Sequence, residues 1–212
     1  MKLGNIMIFG DSYSTYMDHV PEGYAVYYAD DREFPPFVGL EETWWRRLIN
    51  ATGANLIQNN SWSGSTIGYL GYNGDCSKTN SFIFRLNELA EQGFFENNKI
   101  DTVFVFGGTN DCWCGAPLGE IQFDNHTRED LFNVLPAICY FLKRLKELLP
   151  NAEIVSLVNT DLKPEFEETF RAASEHFGTR CICFESIDKE SGHPTVQGME
   201  DICSTILKEL NL

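Results

Sequence analysis

The stretch NIMIFGDS, residues 5–12, is a short apolar run followed directly by Gly-Asp-Ser. Short apolar runs of this kind are typical of strands that are buried on both faces of a parallel sheet. Further strands are predicted at 55–59, 102–106, 153–158 and 180–184. Helices with apolar residues three and four positions apart are predicted at 43–51, 81–92, 129–149, 165–177 and 195–210. This alternation predicts an α/β fold in which helices flank a mainly parallel sheet.

The length and composition of the chain limit the domain organisation, the partners and the location that can be expected. The 212 residues are enough for a single domain, which we take to span 1–212. A net charge of −15 disfavours nucleic acid and anionic membranes as partners, because both would be repelled. No segment is long and apolar enough for membrane insertion, and the N-terminus does not resemble a secretion signal. Seven irregularly spaced cysteines favour reduced thiols and a cytoplasmic location.

Ser12 follows the first predicted strand and is the first candidate for chemistry. Gly10 at the strand end allows a sharp turn that leaves the serine hydroxyl exposed at the sheet edge, where a nucleophile must lie. An ordinary turn or helix cap is the alternative interpretation. Because ligands of open α/β sheets bind beyond the carboxyl ends of the strands, the long loops 13–40 and 107–127 are predicted to build a substrate pocket.

Three other polar segments follow a predicted strand or precede a predicted helix. Gly64 can bring its backbone N–H close to a reacting carbonyl without a side chain intervening. The amide of Asn110 can donate a hydrogen bond to a developing oxyanion. His193 can act as a general base near neutral pH. Each segment alone could be an ordinary turn, but all of them are predicted at the same edge of the sheet as Ser12.

In this order, the four segments resemble the four sequence blocks of the SGNH hydrolases, also called GDSL lipases or esterases. The resemblance implies a flavodoxin-like three-layer α/β/α sandwich around a central, mainly parallel five-stranded sheet. It implies that Ser12 is the nucleophile and His193 the base. It also implies an oxyanion hole made of the backbone N–H groups of Ser12 and Gly64 and the amide of Asn110. This scheme needs neither a metal nor an organic cofactor.

The last block departs from the family pattern. The family usually has an aspartate three residues before the histidine, whereas this sequence has Glu190 there and Asp188 two residues earlier. Glutamate is one methylene longer and could still reach the imidazole Nδ1, so Glu190 is favoured over Asp188 as the residue that orients His193. A backbone carbonyl is the third possibility.

The substrate is predicted from the aromatic residues near these blocks. Flat rings beside a nucleophile suit stacking against a sugar, although the same rings could simply fill gaps beneath the loops. The chain shows no long apolar lid of the kind that covers a fatty acyl channel. A small-molecule or glycan ester, in particular a short-chain or carbohydrate acetyl ester, is therefore the expected substrate. The aromatic residues are Tyr13, Tyr16, Trp62, Tyr69, Tyr72 and Trp113.

Three alternatives compete with a serine esterase. A non-catalytic carbohydrate-binding protein could keep the fold and use only the aromatic loops. A thiolate metal site could be drawn from Cys112, Cys114, Cys181 and Cys183, but one intervening residue is too few for the usual zinc pairs. A flavodoxin-like nucleotide binder is disfavoured because Asp11 and the acidic loop after it would repel a phosphate.

Overall fold

A computed structural model describes residues 2–212, and its centre is a five-stranded parallel sheet. In chain order the strands are β1 (Asn5–Gly10), β2 (Asn55–Ser61), β3 (Leu70–Gly71), β4 (Gly74–Asp75), β5 (Thr102–Phe106), β6 (Glu153–Val158), β7 (Arg180–Cys183), β8 (Lys189–Glu190) and β9 (His193–Pro194). The central sheet has the order β2-β1-β5-β6-β7, and each neighbouring pair is parallel. The pairs β3-β4 and β8-β9 are small antiparallel hairpins.

Helices cover both faces of this sheet. They are α1 (Trp44–Thr52), α2 (Phe82–Glu91), α3 (Phe94–Asn97), α4 (Thr109–Trp113), α5 (Val134–Leu148), α6 (Pro164–Phe177) and α7 (Val196–Leu210). Short 3₁₀ turns precede α1 and α5. In residues 2–212 no helix combines the length and the apolar character needed to cross a membrane.

The alternation of side chains along β1 explains the three layers. Successive residues of a strand point to opposite faces, so Met7 and Phe9 lie in one apolar core and Ile6 and Ile8 in the other. The first core is closed by α2, α5 and α6, and the second by α1 and α7. Because β1 is buried on both faces from Ile6 onward, it is apolar from Ile6 to Phe9. The predicted three-layer α/β/α sandwich is confirmed.

The five strands of the sheet and the five long helices match the predicted elements, apart from their ends. The helix predicted at 129–149 begins at Val134, because residues 130–132 form a 3₁₀ turn. Pro136 lies in the first turn of α5, where a missing N–H costs nothing. The predicted loop 107–127 contains α4, and the hairpins β3-β4 and β8-β9 were not predicted.

The parallel register brings the chemically interesting segments to one edge. Gly10, the last residue of β1, pairs with Ser61 of β2 and with Phe106 of β5. The segments that follow these three strands therefore start side by side. They contain Ser12, Gly64 and Asn110, respectively.

Candidate active site

Ser12 and His193 are 181 residues apart in sequence but adjacent in space. The Nε2 atom of His193 lies 3.0 Å from Oγ of Ser12. This is within the range over which a base takes a proton from a hydroxyl nucleophile. Ser12 as a whole residue is only 3% exposed. The structure therefore brings the predicted nucleophile and base together.

The turn that carries Ser12 is fixed by Gly10 and Asp11. A Cβ atom on Gly10 would lie 2.7 Å from Cβ of Ser14, so the chain can fold back here only at a glycine. The buried Asp11 carboxylate accepts the backbone N–H of Tyr13 at 3.1 Å, and the Asp11 carbonyl accepts that of Ser14 at 3.1 Å. Burial raises the pKa of Asp11 to about 7. The two hydrogen bonds to the buried Asp11 therefore hold the turn that carries Ser12 in its conformation.

The predicted base, His193, lies on the hairpin β8-β9, whose two turn residues are Ser191 and Gly192. Their φ angles are 50° and 78°, the left-handed conformations that a tight two-residue hairpin requires. The Ser191 carbonyl lies 3.2 Å from Nδ1 of His193. Because a carbonyl can only accept, this bond selects the tautomer that carries its proton on Nδ1 and leaves Nε2 free to accept from Ser12.

Of the three candidates for orienting the ring, the structure places the backbone carbonyl, and not the side chain of Glu190, next to Nδ1 of His193. Glu190 pairs with His193 across the hairpin through the backbone, but its side chain is exposed and the partner of Nδ1 is the Ser191 carbonyl. Asp188 is also exposed, and its carboxylate accepts the hydroxyl of Thr195 at the start of α7. The physical reason is the two-residue turn, because it places the carbonyl of Ser191 next to Nδ1 of His193.

The surroundings of His193 are aromatic and cationic. The ring of Tyr27 is stacked on the imidazole with 3.5 Å between centroids and 7° between planes, and Trp113 approaches edge-on at 5.8 Å. Burial is the main cause that lowers the pKa of His193 to about 4; the hydrogen bond to the Ser191 carbonyl opposes it, and the nearby charges of Arg32 and Lys189 act in the same direction as burial. The imidazole is therefore neutral and able to accept a proton at neutral pH.

The predicted oxyanion residues lie on two neighbouring loops. Gly64 has a φ of 79°, and a Cβ atom added there would meet nothing within 4 Å, so the space beside its backbone is open. Asn110 is 3% exposed and donates from Nδ2 to the Ser65 carbonyl at 3.0 Å. Its Oδ1 accepts the hydroxyl of Tyr72 at 3.1 Å. One amide hydrogen of Asn110 has no role in these bonds and can point to a substrate.

Two buried charged residues that support these loops were not predicted. Asp111 accepts the backbone N–H groups of Ile67 at 2.9 Å and Gly68 at 3.1 Å, which ties the Gly64 loop to α4. Burial raises the pKa of Asp111 to about 6. The sequence did not indicate this role of Asp111, because an acidic residue that follows Gly-Gly commonly does no more than stabilise an ordinary turn.

Arg85 is 1% exposed and donates to groups from three segments of the site. It bonds to the Gly10 carbonyl at 3.3 Å, to Oδ1 and the carbonyl of Asn60, and to the Ser65 hydroxyl at 3.1 Å. Burial lowers its pKa to about 10. The sequence did contain one indication of this role: Arg85 lies on the apolar face of α2, one position before Leu86 and three after Phe82.

A pocket of about 340 Å³ adjoins the oxyanion loop and combines aromatic with polar side chains. Its lining residues are Trp62, Gly64, Gly71, Tyr72, Asn73, Gly74, Asp75, Cys76, Thr79 and Asn80. Of the aromatic residues singled out from the sequence, Tyr13 and Tyr16 are buried in the core, while Tyr72 and Trp113 are 54% and 47% exposed. Some of these rings therefore fill space beneath the loops, and others are accessible to a ligand.

The cysteine pairs do not form a metal-binding group. Cys181 and Cys183 lie on one face of β7 with their sulfur atoms 3.6 Å apart. Within residues 2–212, no cluster of three or more histidine, cysteine or acidic side chains could hold a metal ion.

Comparison with known proteins identifies the family. The profile described as GDSL-like lipase/acylhydrolase matches residues 4–210. A solved structure described as a GDSL-like lipase from Bacteroides ovatus is 38% identical, with a TM-score of 0.90, and the alignment covers 100% of this chain and 99% of that chain. A second one, from Bacteroides uniformis, is 39% identical with a TM-score of 0.88, and the alignment covers 98% and 95% of the two chains.

More distant structures share the fold alone. An acetyl xylan esterase from Butyrivibrio proteoclasticus is 18% identical, with a TM-score of 0.64 over 100% of this chain and 64% of that chain. A comparison with curated proteins found no match. The profile match and the two Bacteroides structures both span nearly the whole of the present sequence. The chain therefore belongs to the GDSL-like lipase/acylhydrolase family, a family of hydrolases.

Proposed function

We propose that the protein is a serine esterase that hydrolyses carboxylic esters through an acyl-enzyme on Ser12, with short-chain or carbohydrate acetyl esters as substrates. The observation that carries the proposal is the 3.0 Å contact between Nε2 of His193 and Oγ of Ser12. Membership of a hydrolase family over residues 4–210 supports the same chemistry.

The first half of the reaction forms the acyl-enzyme. Nε2 of His193 accepts the hydroxyl proton while Oγ of Ser12 attacks the ester carbonyl, and a tetrahedral oxyanion results. The backbone N–H groups of Ser12 and Gly64 and the amide of Asn110 would donate hydrogen bonds to this oxyanion. Protonated His193 then gives its proton to the leaving alcohol as the C–O bond breaks. In serine hydrolases one such oxyanion donor is worth about 10²–10³ in kcat.

The second half reverses these roles with water as the nucleophile. His193 takes a proton from the water, the hydroxide attacks the acyl carbonyl, and Ser12 leaves as its hydroxyl is protonated again. Throughout, the positive charge that develops on the imidazole is stabilised at Nδ1 by the Ser191 carbonyl instead of a carboxylate. The proposed machinery is therefore a dyad of Ser12 and His193 supported by the backbone.

The substrate class follows from the pocket beside Gly64. Trp62 and Tyr72 provide aromatic surface, and Asn73, Asp75 and Asn80 provide hydrogen-bonding groups at the same pocket. Aromatic faces combined with amide and carboxylate groups suit a sugar ring better than a fatty acyl chain. The acetyl xylan esterase of the same fold is consistent with an acetylated carbohydrate as substrate.

A panel of acetyl, butyryl and octanoyl esters, assayed alongside acetylated sugars, tests this proposal. We expect turnover to decrease with acyl length and to be highest on the acetylated sugars, and Ser12→Ala to be inactive on all of them. A preference for the octanoyl ester would exclude the short-chain assignment. Turnover retained by Ser12→Ala would exclude Ser12 as the nucleophile.

A further inference from the structure

Tyr27 covers one face of the candidate base. Its ring is parallel to the imidazole of His193 within 7°, and the two centroids are 3.5 Å apart. Tyr27 lies in the long loop between β1 and α1, far in sequence from the hairpin that carries His193. Both side chains are partly buried, so the stack excludes water from that face of the imidazole.

Arg32 covers the opposite face of Tyr27. Its guanidinium carbon lies 3.8 Å from the centre of the tyrosine ring, a close cation–π contact. Its Nη1 also donates to the Tyr27 carbonyl at 2.6 Å. Tyr27 is thus held between a cation and the imidazole, with its ring and its backbone fixed by the same arginine.

The backbone around Tyr27 is anchored to the nucleophile turn. The N–H of Tyr27 donates to Oγ1 of Thr15 at 2.9 Å, and the same hydroxyl donates to the Ser12 carbonyl at 3.1 Å. The N–H of Met17 donates to the Tyr28 carbonyl at 2.9 Å. The position of Tyr27 is therefore set relative to Ser12.

The same segment is anchored to the other two catalytic loops. The hydroxyl of the buried Tyr28 donates to the Pro194 carbonyl at 2.8 Å, directly after His193. The Ala25 carbonyl accepts the N–H of Ser63 at 2.8 Å, directly before Gly64. Residues 25–28 consequently connect the nucleophile turn, the oxyanion loop and the base hairpin.

We propose that Tyr27, held in place by Arg32, is the positioning residue that keeps the imidazole of His193 aimed at Ser12, the task that an aspartate performs in a Ser-His-Asp triad. The hydrogen bonds of Nδ1 to the Ser191 carbonyl and of Nε2 to Ser12 hold two points of the ring and leave it free to tilt about the line that joins them. A parallel ring at 3.5 Å blocks that tilt on one side. The inference rests on the proposed esterase function.

The stack has a consequence for protonation. Opening the Tyr27 face to water would stabilise the imidazolium, because burial is the main cause of the low pKa of His193. Removing the charge of Arg32 would act in the same direction. The charged and titratable groups around His193 are Tyr13, Tyr27, Arg32 and Lys189, together with Glu190 on the opposing strand.

The test compares Tyr27→Leu, which removes the ring, with Tyr27→Phe, which keeps it. We expect Tyr27→Leu to lower kcat by about 10- to 100-fold on an acetyl ester, the scale of a misplaced catalytic group, with KM changed by less than about threefold. The acidic limb of its kcat/KM profile should move to higher pH. Tyr27→Phe should restore kcat and the pH profile to near those of the unmodified protein.

Arg32→Gln is the second variant, and circular dichroism establishes that each protein is folded. We expect Arg32→Gln to move the acidic limb in the same direction as Tyr27→Leu, with a smaller decrease in kcat. If Tyr27→Leu is folded and keeps both the kcat and the pH profile of the unmodified protein, while Ser12→Ala is inactive, the inference is overturned and the esterase function stands.

An NMR titration of His193 tests the role of Tyr27 separately from the esterase activity, since it does not depend on turnover. With only four histidines in the chain, the His193 signals can be assigned from a His193→Ala variant. A His193 pKa that rises in both Tyr27→Leu and Arg32→Gln supports the stack even if no ester is hydrolysed, in which case the esterase proposal alone fails. A pKa that is unchanged in both variants overturns the inference.

Discussion

The Nδ1 atom of His193 is hydrogen-bonded to the carbonyl oxygen of Ser191, two residues earlier, at 3.2 Å. In a Ser-His-Asp triad this position belongs to a buried carboxylate. Here the acceptor belongs to the turn of the hairpin itself. The hydrogen-bond partner of Nδ1 is therefore supplied by the backbone of the hairpin that carries His193, and the side chain of Glu190 is exposed.

Glu190→Gln should consequently leave catalysis almost unchanged. We expect kcat on an acetyl ester to stay within about twofold, whereas removing the working carboxylate of a triad costs about 10⁴-fold. Steady-state kinetics at pH 7 measure the difference. A loss of more than about tenfold in a folded Glu190→Gln protein would show that the carboxylate does act on His193 during turnover.

The pH dependence of the reaction should reflect the low pKa of His193. In the proposed mechanism the neutral imidazole is the active form, and a pKa of about 4 keeps it neutral well below the usual histidine range. We expect kcat/KM to remain near its maximum at about pH 5.5 and to fall only on approach to about pH 4. A profile that is half-maximal near pH 6.5 would mean that the imidazole is better solvated than its contacts indicate.

Asn110→Ala tests the oxyanion assignment. Because this amide is expected to bind the substrate oxygen most strongly once it is charged, we expect kcat to fall by about 10²–10³-fold with little change in KM. Tyr72→Phe is the matched control, since it removes only the hydroxyl that contacts Oδ1 of Asn110. Equal and small effects of both variants would remove Asn110 from the oxyanion hole.

Arg85 should be important for stability. Its guanidinium connects Gly10, Asn60 and Ser65, so Arg85→Leu leaves several buried acceptors without a donor. We expect the free energy of unfolding to fall by at least about 1–3 kcal/mol, the cost of leaving a buried acceptor without a hydrogen-bond donor. Urea denaturation measures this loss.

Arg144→Gln is the control for Arg85→Leu, because the side chain of Arg144 bonds to the exposed Glu147 at 3.2 Å on the surface of α5. A surface pair of this kind contributes about 0–1 kcal/mol. If Arg85→Leu were as harmless as Arg144→Gln, the buried network would have no net stabilising role.

The fold and the convergence of the candidate segments at one sheet edge were predictable because they depend on local signals. An apolar strand such as β1, followed by Gly10, shows its burial on both faces and its turn directly in the sequence. The order of the four segments then identified the family. Parallel strands bring their carboxyl ends to one edge, so the convergence of Ser12, Gly64 and Asn110 followed from the strand assignments.

The parts that were not predicted depend on geometry or on contacts between distant segments. Ser191 takes a left-handed conformation that few serines adopt, and this conformation makes a backbone carbonyl the partner of His193 in place of Glu190. The stack of Tyr27 on His193 joins two loops with no sequence pattern in common. The buried position of Arg85 was not predicted, because a charged residue in an amphipathic helix is usually exposed.

The most direct test of the account is labelling with a fluorophosphonate, in which the serine Oγ forms a bond to phosphorus and fluoride leaves. We predict one label per chain, found on Ser12 by peptide mass spectrometry, with no label on Ser12→Ala and much slower labelling of His193→Ala. A protein that stays unlabelled, or one that is labelled equally well without Ser12 or without His193, would contradict the proposed pairing of nucleophile and base.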